Sequence, residues 1–160
     1  MYENGWGGDI YFSTALQWYH KVAEEEHVDA QYNIGKMYAN GWGVDRNYST
    51  AVQRYRKAAE EGHADAQYNI GWMYKNGWGV DRNYSTAVQR YRKAAEQGST
   101  DAQIFLGEMY ENGWGVDKND STAVQWYREA AEQGYAYAQF NLVIMYENGW
   151  GVVKNHSLTV

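Results

Sequence analysis

The chain of 160 residues contains no cysteine and no proline, and only 3 phenylalanines. Without cysteine there is no disulfide and no thiol nucleophile, and the redox compartment stays open. Without proline no helix is interrupted from within, which fits a helical array. No apolar run approaches the roughly 18 residues of a membrane span, and no charged-then-apolar leader is visible. At a net charge of −6 the basic residues are interleaved with acidic ones. That removes the clustered basic face a nucleic acid needs.

Catalytic signatures are missing too. There is no Ser-x-x-Lys, no Gly-x-Ser-x-Gly and no phosphate-cradling Gly-Lys. His20, His27, His63 and His156 follow no common period and lack an i, i+4 ligand partner, so no metal site is expected. His27 and His63 share one register, at a turn, and are expected in solvent. The carboxylate pairs at Glu24-Glu25-Glu26 and Glu60-Glu61 read as solvated helix ends without the apolar pocket that shifts a pKa. The expectation is a protein that is not an enzyme and carries no cofactor.

What is abundant is Tyr (16) and Trp (8), and above all repetition. The pentapeptide Asn40-Gly41-Trp42-Gly43-Val44 recurs at Asn76–Val80, Asn112–Val116 and Asn148–Val152, successive copies lying 36 positions apart. A degenerate copy, Asn4-Gly5-Trp6-Gly7-Gly8, opens the chain. A fixed period of this size is the signature of stacked helical repeats. Gly41 to Glu60 recurs letter for letter as Gly77 to Glu96, so differences between units are more informative than sameness.

Within one unit, Ala66, Ile70, Met73 and Tyr74 fall at i, i+4, i+7 and i+8, the stripe of a short helix A. Gly71 within it costs about 1 kcal/mol against Ala, which implies a neighbour too close for a Cβ. Gly77 is placed to end the helix in the left-handed conformation. Asn83 is a good N-cap for helix B, whose face is Ala87, Val88, Tyr91, Ala94 and Ala95. Neither helix buries its stripe alone, so stacking must do it. Partial repeats are expected at 1–29 and 138–160 and full ones at 30–65, 66–101 and 102–137, in one array broken inside a repeat at both ends. At the first end Ser13 to Glu26 is expected to be a B helix.

The pattern Ala66-x-x-x-Ile70-Gly71-x-x-Tyr74-x-x-Gly77-x-Gly79-Val80, then Ala87-x-x-x-Tyr91-x-Lys93-Ala94-Ala95-x-x-Gly98, resembles the Sel1-like repeat, a relative of the tetratricopeptide repeat. Asn83 stands where that family usually has Asp, and Thr86 where it often has Lys. The resemblance implies an all-α, right-handed superhelical solenoid of antiparallel helix pairs. It also implies an adaptor or scaffold role, with the A helices lining a concave groove.

The differences between units gather on one face of helix A. One position reads Tyr32, Tyr68, Ile104, Phe140, and four residues on it reads Lys36, Trp72, Glu108, Ile144. Three further it reads Ala39, Lys75, Glu111, Glu147, beside the constant Asn40, Asn76, Asn112 and Asn148. This face is the expected groove for a protein or an extended peptide, with the asparagines bonding its backbone. Drift at exposed positions is the blander reading.

The turn tryptophans Trp6, Trp42, Trp78, Trp114 and Trp150 allow a second reading, a ladder that stacks on a glycan. Against it, each indole would fold onto its own or the next helix B, which is the favoured reading. The tyrosines at 38, 74, 110 and 146, and at 19, 55, 91 and 127, are expected in core ladders. Asn47, Asn83, Asn119 and Asn155 each open an Asn-x-Ser sequon, but a helix cap explains the asparagine without a glycan. A third possibility is head-to-tail self-association through uncapped ends.

Overall fold

A computed structural model describes residues 6–24 and 27–152, with side chains from Ile10 onward. Among the described residues there are eight α-helices and no strand. They are α1 (Trp6–Ala23), α2 (Val28–Asn40), α3 (Tyr48–Glu60), α4 (Ala64–Asn76), α5 (Tyr84–Glu96), α6 (Thr100–Asn112), α7 (Asp120–Glu132) and α8 (Ala136–Asn148). They fall into two compact units, Met1–Arg82 with α1 to α4 and Asn83–Val160 with α5 to α8. Inside each unit a helix packs chiefly on its neighbours in the chain. No described helix is long and apolar enough to cross a membrane.

The B helices bury the face that their spacing predicts. Ala51, Val52, Tyr55, Ala58 and Ala59 of α3 are all buried, as are Ala87, Val88, Tyr91, Ala94 and Ala95 of α5. The A helices answer with Ala30, Ile34 and Met37, with Ala66, Ile70 and Met73, and with Ala102, Leu106 and Met109. The glycine inside helix A makes room for a tyrosine ring. A Cβ on Gly35 would sit 2.6 Å from the Tyr55 ring, and one on Gly107 2.7 Å from the Tyr127 ring.

A second interlock is polar. Gln31, Gln67, Gln103 and Gln139 each reach back from helix A to donate to a carbonyl at the end of the preceding helix B, those of Ala23, Ala59, Ala95 and Ala131. The first three of these amides are buried, where an unmet donor would cost about 1–3 kcal/mol.

The recurrent turn explains its own letters. In α4 the amides of Gly77 and Trp78 both return to Met73 O, at 2.8 and 3.0 Å, which closes the helix with Gly77 at φ 72°. Gly79, also left-handed, lies against the first backbone atoms of α3, the helix B of the preceding repeat. Val80 then anchors the turn in the core of unit 1. At the chain start Gly8 replaces that valine, and Trp6-Gly7-Gly8 joins helix α1 instead of forming a turn. The B helix expected over Ser13 to Glu26 therefore begins at Trp6 and ends at Ala23.

Other expectations need adjustment. Tyr55, Tyr91 and Tyr127 are buried, whereas Tyr19, Tyr38, Tyr74 and Tyr110 are half-buried and Tyr146 is exposed. The hydroxyls of Tyr74, Tyr110 and Tyr146 accept from Arg56, Arg92 and Arg128, which explains why they stay near solvent. His63 is a helix cap rather than a solvated side chain. Its Nδ1 accepts from the Ala66 amide, its ring stacks on Tyr32 at 4.3 Å, and Nε2 lies 3.5 Å from Asp29. His156 and the sequon at Asn155 lie outside the described residues.

Candidate functional site

Residues spaced by four on a helix share a face, and in α2 this aligns Tyr32, Lys36 and Asn40. In unit 1 that row meets Asn69, Trp72 and Met73 of α4, and the two rows enclose a half-open pocket of about 350 Å³. The turns add Arg46 and Trp78, and α3 adds Tyr48 and Tyr55.

Aromatic contacts set the geometry. The Trp72 and Trp78 rings meet edge to face with centroids 4.3 Å apart, and Trp78 stacks on Tyr48 at 4.9 Å. Two cations ride on ring faces. Lys36 Nζ is 5.6 Å from the Tyr32 centroid and 5.9 Å from that of Trp42, and the Arg46 guanidinium is 5.5 Å from Tyr48. Such contacts position a cation without placing an opposite charge beside it. Burial pushes the Tyr32 phenol above its ordinary pKa, the Asp65 carboxylate adds to this, and a hydrogen bond with Asn69 opposes it.

Of the sequence-expected groove residues, Tyr32, Lys36, Asn40 and Trp72 thus share one pocket. Tyr68, Lys75 and Asn76 lie in unit 1 but outside its lining. The other expected residues belong to unit 2, where the corresponding face is acidic. There the Tyr127 hydroxyl donates to Glu111 at 2.7 Å and the Tyr137 hydroxyl donates to Glu108 at 3.0 Å. Phe140 is 61% exposed and Ile144 half-buried.

Ile104 is a correction. It was expected in the groove, yet it is only 7% exposed and packs in one cluster with Ala123, Val124 and Tyr127. A short branched side chain at that position sinks between α6 and α7 instead of projecting.

The constant asparagines also behave differently from expectation. In Asn40, Asn76, Asn112 and Asn148 the amide nitrogen donates to the carbonyl four residues back in its own helix, at 2.8–2.9 Å. They finish the helix end first, and only their remaining amide groups face outward.

The turn tryptophans are 37–45% exposed at Trp42, Trp78, Trp114 and Trp150, while the Trp6 side chain lies outside the described residues. Packing does hold the indoles, but on another helix than expected. Trp42 stacks on Phe12, Trp78 on Tyr48 and Trp114 on Tyr84, each on the helix B of the preceding repeat. At the fourth turn the partner position is Asp120, which offers no ring.

Sequence reasoning missed Arg46, Tyr48 and Asn69 as lining residues. The pairing of a turn Trp with an aromatic one residue after the preceding N-cap was the available signal. It is present at Trp78 with Tyr48 and at Trp114 with Tyr84, and lapses at Trp150.

Comparison with known proteins agrees with this architecture. The Sel1 repeat pattern matches residues 1–27, 28–63, 64–99, 100–135 and 136–159. The chain is similar to c5321, a protective antigen of uropathogenic Escherichia coli strains, with 40% identity and a TM-score of 0.88 over 91% of this chain and 31% of that one. It is also similar to a Sel1 repeat protein from Oxalobacter formigenes, with 41% identity and a TM-score of 0.84 over 88% of this chain and 58% of that one. Cysteine rich protein B of Helicobacter pylori shares the fold at 24% identity and a TM-score of 0.67, over 87% of this chain and 100% of that one. This chain therefore spans less than two thirds of the first two proteins. No curated protein matches it. With five matched segments and helix pairs of this kind, the chain belongs to the Sel1 repeat family, whose members are generally protein-interaction scaffolds.

Proposed function

We propose that the chain is a non-enzymatic adaptor that holds an extended peptide against the A-helix face, with the pocket of unit 1 as the principal contact. The observation that carries this is the convergence of Tyr32, Lys36, Asn40 and Trp72 on one half-open volume of about 350 Å³. That size is at the small end of ligand pockets, which suits one or two side chains of a passing chain. The perpendicular Trp72 and Trp78 rings form an apolar corner of the type that anchors an interface. The glycan reading has weaker support, because Trp42, Trp78 and Trp114 each already use one ring face on a neighbouring aromatic.

The test is a peptide selected on the intact chain from a random displayed library, with affinity measured by calorimetry. Trp72→Ala is expected to weaken binding by about 2 kcal/mol or more, roughly thirtyfold. Unchanged affinity, with helicity of the variant intact, would remove the groove.

A further inference from the structure

The charges around the unit 1 pocket narrow its ligand. Lys36 and Arg46 are the only formally charged residues in its lining, and no carboxylate lines it. Neither cation has an ion-pair partner among the described residues, although the whole chain carries a net charge of −6. Each is held instead over an aromatic face, so its charge is positioned but not neutralised. Two periods further on, in unit 2, Glu108 stands at the place of Lys36 and Glu111 at that of Ala39, while Lys118, at the place of Arg46, pairs with Asp120. Two cations without a carboxylate are therefore not repeated at those positions of unit 2.

On the peptide-groove reading, we infer that the unit 1 pocket recognises an acidic side chain, Asp or Glu, within an extended peptide, next to an apolar side chain seated on Trp72 and Trp78. Lys36 and Arg46 take the carboxylate, and the indole corner takes the neighbour. On the groove reading the peptide passes along the half-open pocket, so the acid is an internal one, and a chain end is a rival outcome of the test. Lys and Arg pair with phosphate as well as with carboxylate, so a phosphorylated side chain is the other rival outcome.

Acetylated, amidated octapeptides with mixed flanks and a central Phe-Glu, Phe-Gln, Phe-Lys or Phe-phosphoserine pair serve as probes against the intact chain. A further set has Phe-Gln and a free carboxyl terminus. Phe-Glu is expected to bind about tenfold tighter than Phe-Gln, with Phe-Lys weakest and the preference shrinking as salt rises. Lys36→Met and Arg46→Met are expected to abolish the preference, Lys36→Arg to keep it, and Lys93→Met on exposed α5 surface to change nothing.

Equal binding of Phe-Glu and Phe-Gln, with Trp72→Ala still weakening both, would overturn the acidic ligand and leave the groove standing. Tightest binding by the phosphoserine or free-carboxyl set would overturn it in favour of that group. Absence of binding by every set would overturn the groove and the acidic ligand together.

Discussion

Replacing Gly79 by alanine separates two demands that the turn makes on one residue. Its φ is 70°, so any L side chain there carries the left-handed penalty of about 1–2 kcal/mol. Gly62, at the end of α3, has φ 87° and carries the same penalty. The surroundings differ. A Cβ on Gly62 meets nothing within 4 Å, whereas one on Gly79 would lie 2.5 Å from Tyr48 O and 2.7 Å from Ser49 N. Those are backbone atoms at the start of a capped helix, so they cannot rotate away, and relieving the overlap means moving the turn off α3. Overpacking of that kind adds about 1–3 kcal/mol. Loss of unfolded-chain freedom is similar for the two substitutions and cancels in the comparison. Gly79→Ala should therefore be less stable than Gly62→Ala by about 1–3 kcal/mol, measured by urea unfolding followed by circular dichroism. Its Trp78 emission should also shift, since the indole leaves Tyr48. Equal destabilisation by the two variants would show that the turn needs glycine for conformation alone and that the packing argument is wrong.

Asn47→Ala removes the acceptor for the Thr50 amide, at 2.9 Å, and should cost about 1 kcal/mol, while Gln53→Ala on the exposed side of α3 should be near neutral in the same assay. Alkaline pH should destabilise the chain through Tyr55 and Tyr127. Burial raises both phenols, and at Tyr127 the hydrogen bond to Glu111 and the charge beside it raise the pKa further. A folded-state pKa above the ordinary 10.0 gives stability that is complete below pH 10.0 and lost as pH climbs past it. The unfolding midpoint is expected to fall above that pH, and Tyr127→Phe to flatten the fall. A native-state absorbance titration in which every tyrosine ionises in the ordinary range would contradict this.

Helix boundaries and core faces were legible because they depend on spacing and caps, which are local. The B helix from Tyr84 to Glu96, the cap at Asn83 and the buried Ala87, Val88 and Tyr91 follow from the period alone. The start of the chain was misread because Asn4-Gly5-Trp6-Gly7-Gly8 has the letters of a turn without its anchor. Where Val44, Val80 and Val152 pack into a core, Gly8 has no side chain to pack. The buried glutamines escaped notice for a related reason. A polar residue beside a stripe reads as surface unless the carbonyl that receives it is known, and Ala59 O lies in the neighbouring helix.

The candidate site shows the limit of reading exposure from variation. Tyr32, Ile104 and Phe140 occupy one position of the repeat, and their depths differ with what covers them and with how far each side chain reaches. Ile104 is short enough to sink against α7. Tyr32 is longer, leans on Tyr55 and extends to stack on His63, so it stays half-buried at the pocket wall. Phe140 lies on α8, beyond which no helix is described, and is left open. Diversity at this position therefore adjusts packing as much as recognition. The position four residues on behaves differently. Lys36 and Trp72 both line the pocket of unit 1, and the Glu108 carboxylate accepts from the Tyr137 hydroxyl. Substitutions there change charge and shape at the surface while leaving the core stripe intact. Ligand preference in this chain should consequently track that row, and stability the row beneath it.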